Sequence, residues 1–294
     1  MKTLTFYIVD VFAETRYAGN QLAVFRDAQA LSDEQMQTFA RETNFSETTF
    51  ILSDAQRDGG YDVRIFTPAA EVPFAGHPTL GTAYVIREEI IGKPVDQVDL
   101  NLKVGRIPVT FKQHSNGDIL WMKQNPPQFG PVSEPAEIAD VLRLNEADID
   151  ARFPVQEVST GISFVIVPLK NLDALKRARV DHDKYATWID SGRPGAVLAF
   201  CPETYSDEND LNVRVFVPCY GVEEDPATGS GNGCLAAYLV KNRYFASDRI
   251  DIRVEQGYEI DRPSLLRLQA EDREGIIDVN VGGRVVKVAK GQWP

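Results

Sequence analysis

Short runs in which apolar and polar residues alternate follow one another along the chain, and few segments have the period of an amphipathic helix. Leu4–Phe12 and Tyr61–Phe66 alternate with the period of two that is typical of half-buried strands. Ser32 with Gln35 three residues later forms a capping-box pattern, which predicts a helix over 33–41. Because strand runs outnumber helices and do not alternate with them regularly, the pattern predicts an α+β fold.

The same pattern predicts the remaining elements. Strands are expected at 21–25, 48–52, 98–102, 106–112, 119–123, 155–159, 163–167, 196–201, 211–216, 249–255, 265–268, 276–281 and 285–289. Helices are expected at 79–89, 135–144, 172–179, 182–190 and 232–241. A proline-rich stretch at 125–131 interrupts the pattern and is a candidate domain boundary.

A motif of the form Arg-x-Phe-x-Pro occurs twice, starting at Arg64 and again at Arg214. Each copy leads through an acidic stretch into a glycine turn, at Gly76 and at Gly229, and then into a helix of small residues. The segments that precede the two copies of the motif also resemble each other, but more weakly. Two copies of one unit would pack face to face about a pseudo-twofold axis, and coincidence is the alternative interpretation.

The two glycine turns are candidate binding elements. Each precedes a helix, whose first N–H groups lack intrahelical partners and, with the helix dipole, favour an anion. Glycine also lets the backbone approach a ligand closely, because no Cβ intervenes. The backbone at Gly76 and at Gly229 would therefore bind a small carboxylate from two sides. The alternative is that both turns merely begin buried helices.

Four side chains near these turns are candidates for chemistry. Glu47 directly precedes an apolar strand; such a residue is more often a solvated charge, but in an enclosed site desolvation would raise its pKa towards neutrality and suit it to proton transfer. His77 at a helix start is expected to be a neutral imidazole, or simply a cap. Asp225 and Ser230 flank the second turn as ligand contacts, or as turn and cap residues.

The composition disfavours several classes of partner and indicates where the protein is located. The 294 residues carry 31 Lys and Arg against 43 Asp and Glu, a net charge of −12 that repels nucleic acid and anionic membranes. Three cysteines without close pairing and three dispersed histidines suggest neither disulfides nor a metal site. No secretory signal or apolar run of 18 residues is present, so a cytoplasmic location is expected.

No cofactor motif is complete. The glycines after Gly229 resemble a dinucleotide-binding fingerprint, but Cys234 stands where the last glycine is needed. Walker A and G-x-S-x-G patterns are absent. The residues therefore favour cofactor-free acid/base chemistry or simple binding.

Several segments taken together resemble the phenazine-biosynthesis PhzF-like isomerase family, and the resemblance extends over nearly the whole chain. They are Gly19-Asn20, Phe45-Ser-Glu47-Thr-Thr-Phe50, Phe66-Thr-Pro68, Pro73-Phe-Ala-Gly-His77-Pro-Thr-Leu-Gly-Thr-Ala83, Asp225-Pro-Ala-Thr-Gly-Ser230, Gln256-Gly257, Arg262-Pro-Ser264 and Val281-Gly-Gly283. The segments Pro73–Ala83 and Asp225–Ser230, which contain the two glycine turns, are specific together, and either alone would be a weaker signal.

The resemblance implies a diaminopimelate-epimerase-like fold of two pseudo-symmetric domains, each a mixed sheet or barrel wrapped around a central helix, with the active site between them. The domains would comprise 1–116 plus about 284–294, and 117–283. The family chemistry is a cofactor-free hydrogen shift in a dihydro-hydroxyanthranilate, and relatives are often homodimers.

By motif match, the resemblance gives each candidate residue a role. Glu47 would be the acid/base residue, and His77 and Asp225 would orient the substrate and relay protons. Gly76 and Ser230, with the adjacent Gly229, would line the carboxylate site.

Two departures from related sequences bear on this interpretation. Racemases of this fold use two cysteines, whose places here hold Ala75 and Thr228, so a two-thiol racemase is disfavoured. Asp261 replaces a glycine of the family pattern, away from the proposed site. The sequence therefore predicts a cofactor-independent isomerase acting on a small carboxylate. The alternatives are a non-enzymatic carboxylate-binding or interaction protein and, less favoured, a racemase.

Overall fold

The computed structural model describes residues 3–115 and 117–294. By the contacts that residues make, the chain divides into two compact units, Met1–Met122 with Gly282–Pro294, and Lys123–Val281. The expected domain ranges of 1–116 with about 284–294, and 117–283, stay predictions, and residue 116 lies outside the described residues.

The first unit is built mainly of strands around one helix. Its strands are β1 Leu4–Val11, β2 Asn20–Arg26, β3 Glu47–Ile51, β4 Tyr61–Phe66, β5 Glu71–Val72, β6 Gln97–Leu102, β7 Gly105–Lys112, β8 Ile119–Lys123 and, from the C-terminus, β18 Val285–Trp293. Its helices are α1 Asp33–Thr43 and α2 Gly76–Val85, and a π-helix at Ile86–Ile91 continues α2.

The second unit has the same kind of sheet and four helices in its described residues. Its strands are β9 Gln128–Ser133, β10 Val155–Ser159, β11 Ser163–Pro168, β12 Ala196–Cys201, β13 Leu211–Val217, β14 Val222–Asp225, β15 Arg249–Gln256, β16 Ser264–Arg273 and β17 Ile276–Gly283. Its helices are α3 Pro135–Val141, α4 Leu172–Arg177, α5 His182–Asp190 and α6 Gly229–Lys241. Short 3-10 helices lie at Glu146–Asp148, Pro218–Tyr220 and Tyr258–Ile260.

The two units repeat one order of strand pairing. In the first, β1–β2, β3–β4, β4–β5 and β6–β7 are antiparallel, and β2–β3 and β4–β6 are parallel. In the second, β10–β11, β12–β13, β13–β14 and β15–β16 are antiparallel, and β11–β12 and β13–β15 are parallel. Each of these six pairings of the first unit thus has a counterpart of the same direction in the second, which confirms the repeat that the sequence predicts.

The helix of small residues is the central helix of each unit. Helix α2 contacts β1, β2, β3, β6, β7 and β18, and α6 contacts β10, β11, β15 and β16. A Cβ at Gly81 would lie 2.6 Å from Leu22 Cδ2, and one at Gly231 would lie 3.1 Å from Phe164 Cε1. Glycine therefore lets both helices lie close to the strands around them.

Both central helices begin earlier than the pattern predicts. Helix α2 begins at Gly76 rather than at 79, and α6 begins at Gly229 rather than at 232. Glycine is a poor helix former, and local propensity therefore places each start too late. Pro78 is tolerated because it lies in the first turn, where its missing N–H would have no intrahelical partner.

Three short strands were missed. Strands β5 and β14 lie in the acidic stretches, and β9 crosses the proline-rich stretch proposed as a boundary. Strand β9 pairs with β10 through a register shift between Gln156 and Val158. The shift gives Gly130 and Pro131 an irregular place in the ladder, where a residue without an N–H donor is accommodated.

The arginine of each Arg-x-Phe-x-Pro motif links the two strands that precede a central helix. Arg64 on β4 donates two hydrogen bonds to Glu71 on β5, and Arg214 on β13 donates two to Glu224 on β14. In each copy the guanidinium also lies over the phenylalanine two residues later, at 5.1 and 4.8 Å. The repeated motif is therefore a structural brace rather than a site.

The last strand completes the core of the first unit. Strand β18 pairs with β1 along its whole length, from Leu4 opposite Trp293 to Val11 opposite Val285. Trp293 packs within 5.7 Å, centroid to centroid, of the rings of Phe6, Phe25 and Phe39.

Among the described residues α6 is the longest α-helix, with 13 residues, and no helix there has the length and apolar character of a membrane span.

Candidate active site

Glu47 and His77 come together in the first unit. Glu47 is the first residue of β3, and His77 lies in the first turn of α2 after Gly76. Their closest atoms, Glu47 Oε2 and His77 Nε2, are 3.5 Å apart, and the side chains are 19% and 7% exposed. A carboxyl group thus faces an imidazole in a largely desolvated setting, which differs from the solvated charge that is the usual state of such a glutamate.

His77 is held as a neutral imidazole. Burial lowers its pKa to about 3, and a hydrogen bond to the main chain of Gln21 acts in the opposite direction. Within the described residues Nε2 has no hydrogen-bond partner, so the bond to Gln21 involves Nδ1. A bond that favours the protonated ring is one in which the ring donates, so the proton is assigned to Nδ1. Nε2, the atom nearest Glu47, is therefore a proton acceptor.

The buried histidine makes the stability depend on pH. The folded-state pKa of about 3 lies below the ordinary value of 6.5. Between these values the unfolded chain binds a proton that the folded chain excludes, so the free energy of unfolding decreases as the pH falls. From pH 7 to pH 5 we expect wild type to lose about 2 kcal/mol more than His77→Gln, as measured by urea unfolding at a series of pH values.

The control for this experiment is His182→Gln, because the His182 side chain is 64% exposed. This variant should keep the pH slope of wild type. An unchanged slope in His77→Gln would contradict the assignment of a neutral buried imidazole.

Both central helices begin without a side-chain cap. Their N-cap residues are Ala75 and Thr228, and neither side chain bonds the N–H groups of the first turn in the described structure. Three other helices, in contrast, have capping side chains, from Ser32, Asn171 and Asp181. The uncapped N–H groups and the helix dipole together favour a bound anion at each start.

The remaining predicted residues come together in the second unit. Asp225 is the last residue of β14, and Gly229 and Ser230 are the first two residues of α6. Asp225 accepts a hydrogen bond from the Thr228 hydroxyl, and both side chains are half-buried. Because the N-cap is Thr228, the interpretation of Ser230 as a cap is wrong. Ser230 lies within the first turn, also half-buried.

The cysteines do not provide the chemistry of a two-thiol racemase. All three are free; Cys201 and Cys234 are buried and Cys219 is exposed. Burial raises the pKa of Cys201 to about 12 and that of Cys234 to about 11, so both are protonated near neutral pH. In residues 3–115 and 117–294, no three His, Cys, Asp or Glu side chains group as metal ligands would.

Two side chains for which the sequence predicts no role, Asn232 and Gln256, contact the turn that carries Asp225 and Thr228. A signal was present for Asn232. It lies four residues after Thr228, as Thr79 lies four residues after Ala75, and each side chain donates to the carbonyl of its N-cap residue. For Gln256, the only indication in the sequence was that the Gln256-Gly257 segment resembles the family.

Comparison with known proteins identifies the family of this chain. The family model described as "Phenazine biosynthesis-like protein" matches residues 9–291. The trans-2,3-dihydro-3-hydroxyanthranilate isomerase of Pseudomonas aeruginosa is 36% identical over 289 residues, which cover 98% of both chains. The crystal structure of the Bacillus anthracis phenazine biosynthesis protein of the PhzF family matches with a TM-score of 0.92 and 28% identity over 100% of both chains.

A more distant structure shares only the fold. The hydroxyproline epimerase of Agrobacterium vitis is 10% identical, with a TM-score of 0.64 over 100% of this chain and 91% of that one. The α+β, epimerase-like fold expected from the sequence is thus confirmed, and so is the expected enzyme class. The chain belongs to the phenazine-biosynthesis PhzF-like family and is an isomerase that acts on a small molecule.

Proposed function

We propose that this isomerase works without a cofactor and moves a proton from one carbon of a small carboxylate substrate to another. The observation that carries the proposal is the contact of Glu47 with His77. It places a proton donor or acceptor 3.5 Å from a neutral imidazole nitrogen, at a helix start that lacks a side-chain cap.

Proton transfer would begin and end on Glu47. The ionised carboxylate takes a proton from one carbon and leaves the electron pair delocalised in the substrate. The carboxylic acid then returns the proton to a second carbon on the same face, so the substrate changes its bonding but not its composition. His77 Nε2, as an acceptor, would bond the protonated form of Glu47 between the two steps.

The substrate carboxylate would be held by backbone groups. We propose that the N–H groups after Gly76 bind a carboxylate, and that those of Gly229 and Ser230, with the Ser230 hydroxyl as a further donor, bind an anionic group at the start of α6. Asp225, held beside the start of α6, would orient a polar group of a bound substrate. The two helix starts would then account for the selection of an anion, and Glu47 for the chemistry.

We propose a substrate of the dihydro-hydroxyanthranilate class. It is supported by the name of the relative that is 36% identical over 98% of this chain. An acid that carries a hydroxyl group and a ring double bond also suits the arrangement, because its carboxylate can be bound while its ring loses and regains a proton.

Isotope incorporation tests the proposed function. Trans-2,3-dihydro-3-hydroxyanthranilate and a panel of other small cyclic carboxylates are incubated with the enzyme in deuterated water. We expect the isomer to form, as detected by NMR, and to carry deuterium, as shown by a mass increase, to the extent that protonated Glu47 exchanges with the solvent before it returns the proton. Binding without isomer or isotope incorporation across the panel would favour a carboxylate-binding protein. Inactivation by thiol alkylation would favour a cysteine racemase.

We also propose a homodimer that acts in the cytoplasm, without nucleic-acid or membrane partners. The net charge of −12 supports the absence of such partners, because it repels phosphate groups. Sedimentation equilibrium should give twice the chain mass of 32.7 kDa, and a mass of one chain would contradict the dimer.

A further inference from the structure

A chain of hydrogen bonds leads from the end of β15 to Asp225. Gln256 is the last residue of β15 and is fully buried. Its Nε2 lies 2.7 Å from the Asp225 carbonyl oxygen and 3.1 Å from Thr228 Oγ1. Its Oε1 lies 3.2 Å from the Thr228 backbone nitrogen and 2.9 Å from Asn232 Nδ2. One amide thus contacts both ends of the turn from Asp225 to Thr228.

The direction of each bond in this chain is determined by its partners. A backbone N–H can only donate, so Gln256 Oε1 faces Thr228 N, and a carbonyl can only accept, so Gln256 Nε2 faces Asp225 O. The same Nε2 then donates to the Thr228 hydroxyl oxygen. A hydroxyl that accepts on one side directs its proton to the other, and there the Asp225 carboxylate lies.

The Thr228 hydroxyl bonds Asp225 instead of capping the first turn of α6. As the N-cap of α6 it has the position from which a threonine hydroxyl caps the first turn, yet its hydroxyl donates to Asp225. The bond thus leaves the N–H groups of the first turn without a side-chain cap and at the same time fixes Asp225 beside them.

The backbone after Gln256 supports the same turn. Gly257 has φ of +77°, and a Cβ there would lie 2.6 Å from the Pro226 carbonyl oxygen and 2.5 Å from that of Arg262. Only glycine permits this approach without displacing the turn. The Gln256-Gly257 segment therefore braces the turn through both a side chain and the main chain.

We infer that Thr228 and Gln256 are positioning residues: the Thr228 hydroxyl holds the Asp225 carboxylate in one orientation, and the Gln256 amide directs that hydroxyl. The inference rests on the proposed function, in which Asp225 orients the substrate. The place that holds a cysteine in related racemases thus holds a residue that acts through its neighbour rather than on the substrate.

Thr228→Val tests the inference, because valine has almost the shape of threonine but no hydroxyl. With trans-2,3-dihydro-3-hydroxyanthranilate we expect kcat to fall about 10- to 100-fold, since a catalytic constellation displaced by about 1 Å loses rate to that extent. KM should change less than about threefold, because the anion-binding N–H groups remain. Thr228→Ser, which restores the hydroxyl, should stay within about threefold of wild type.

The matched control is Thr204→Val. Thr204 is also half-buried in the second unit, and its hydroxyl donates to the carbonyl of Ser206 at 3.0 Å. This variant loses a comparable hydrogen bond and should keep the kcat of wild type. An equal fall in kcat for the two valine variants would mean that Thr228 has only a structural role, and would overturn the inference.

Gln256→Glu tests the direction of the chain separately. The new carboxylate cannot donate to Thr228 and would accept its hydroxyl proton, which draws the donor away from Asp225. We expect a loss of kcat similar to that of Thr228→Val. If the variant does not fold, as shown by circular dichroism, the Thr228 pair decides the outcome alone.

A crystal structure of Thr228→Val provides a measurement that does not depend on activity. The Asp225 side chain should change its χ1 angle in this variant and keep it in Thr228→Ser. If the Asp225 side chain keeps its orientation in Thr228→Val, the inference is overturned, even if wild type turns over the substrate and the proposed function stands. If wild type shows no turnover but Asp225 moves as expected, the proposed function fails while the positioning role of Thr228 stands.

Discussion

Glu47→Gln is expected to lower the turnover by about 10²- to 10⁴-fold, the range that a positioned general acid or base contributes. Glutamine has the shape of glutamate but can neither take nor return a proton near pH 7. Ligand binding should remain largely intact, because the proposed anion site consists of backbone N–H groups. Isomer formation, followed by NMR, measures the first effect, and isothermal titration with the unreacted substrate measures the second.

Glu42→Gln serves as the control for this experiment, because Glu42 is exposed on α1. It makes the same chemical change five residues away and should leave the turnover unchanged. Retained turnover in Glu47→Gln would remove Glu47 from the mechanism. Loss of both turnover and binding would assign Glu47 to substrate binding instead.

Arg214→Met is expected to destabilise the protein by about 3–5 kcal/mol, the cost of leaving one partner of a buried ion pair without the other. The Arg214 and Glu224 side chains are 3% and 8% exposed. Arg214 also donates to three carbonyl groups at the end of α4, those of Leu175, Lys176 and Ala178. The variant would leave the Glu224 carboxylate buried without its ion-pair partner. Urea unfolding, with linear extrapolation to water, measures the change.

Arg64→Met is the matched comparison, because Arg64 makes the same pair of bonds in the other copy of the motif. Its side chain is 21% exposed, and its third partner, Asp33, is 81% exposed. Water can solvate the groups left behind, so we expect a loss of only about 1–2 kcal/mol. Equal losses for the two variants would contradict burial as the cause of the difference.

Alternation of apolar and polar residues was sufficient to predict most of the strands. Tyr61–Phe66, Val155–Ser159 and Ala196–Cys201 have the predicted bounds, because each alternates or is continuously apolar between clear turn residues. The first turns of α2 and α6 were missed because tertiary packing overrides the poor helix propensity of glycine. Strand β9 was missed because its proline occupies a local irregularity in the ladder.

The candidate site was less predictable, because its contacts join distant parts of the chain. Nothing in the spacing of Glu47 and His77 shows that two of their atoms lie 3.5 Å apart, since this depends on how β3 lies beside α2. Burial, which sets the pKa of His77, is likewise a property of the packed structure. Gln256 reaches Thr228 only because β15 is parallel to β13 and ends beside the turn.

The pairing of β18 with β1 determines the order in which the molecule can be completed during synthesis. The first unit begins with β1, which pairs with β2 on one side, but its other edge lacks β18, and the core lacks the indole of Trp293, until Val285–Trp293 has been synthesised. The second unit, Lys123–Val281, is continuous and can form before then. The unit whose synthesis starts first is therefore completed after the other, and a nascent chain exposes one edge of β1 until β18 has been made.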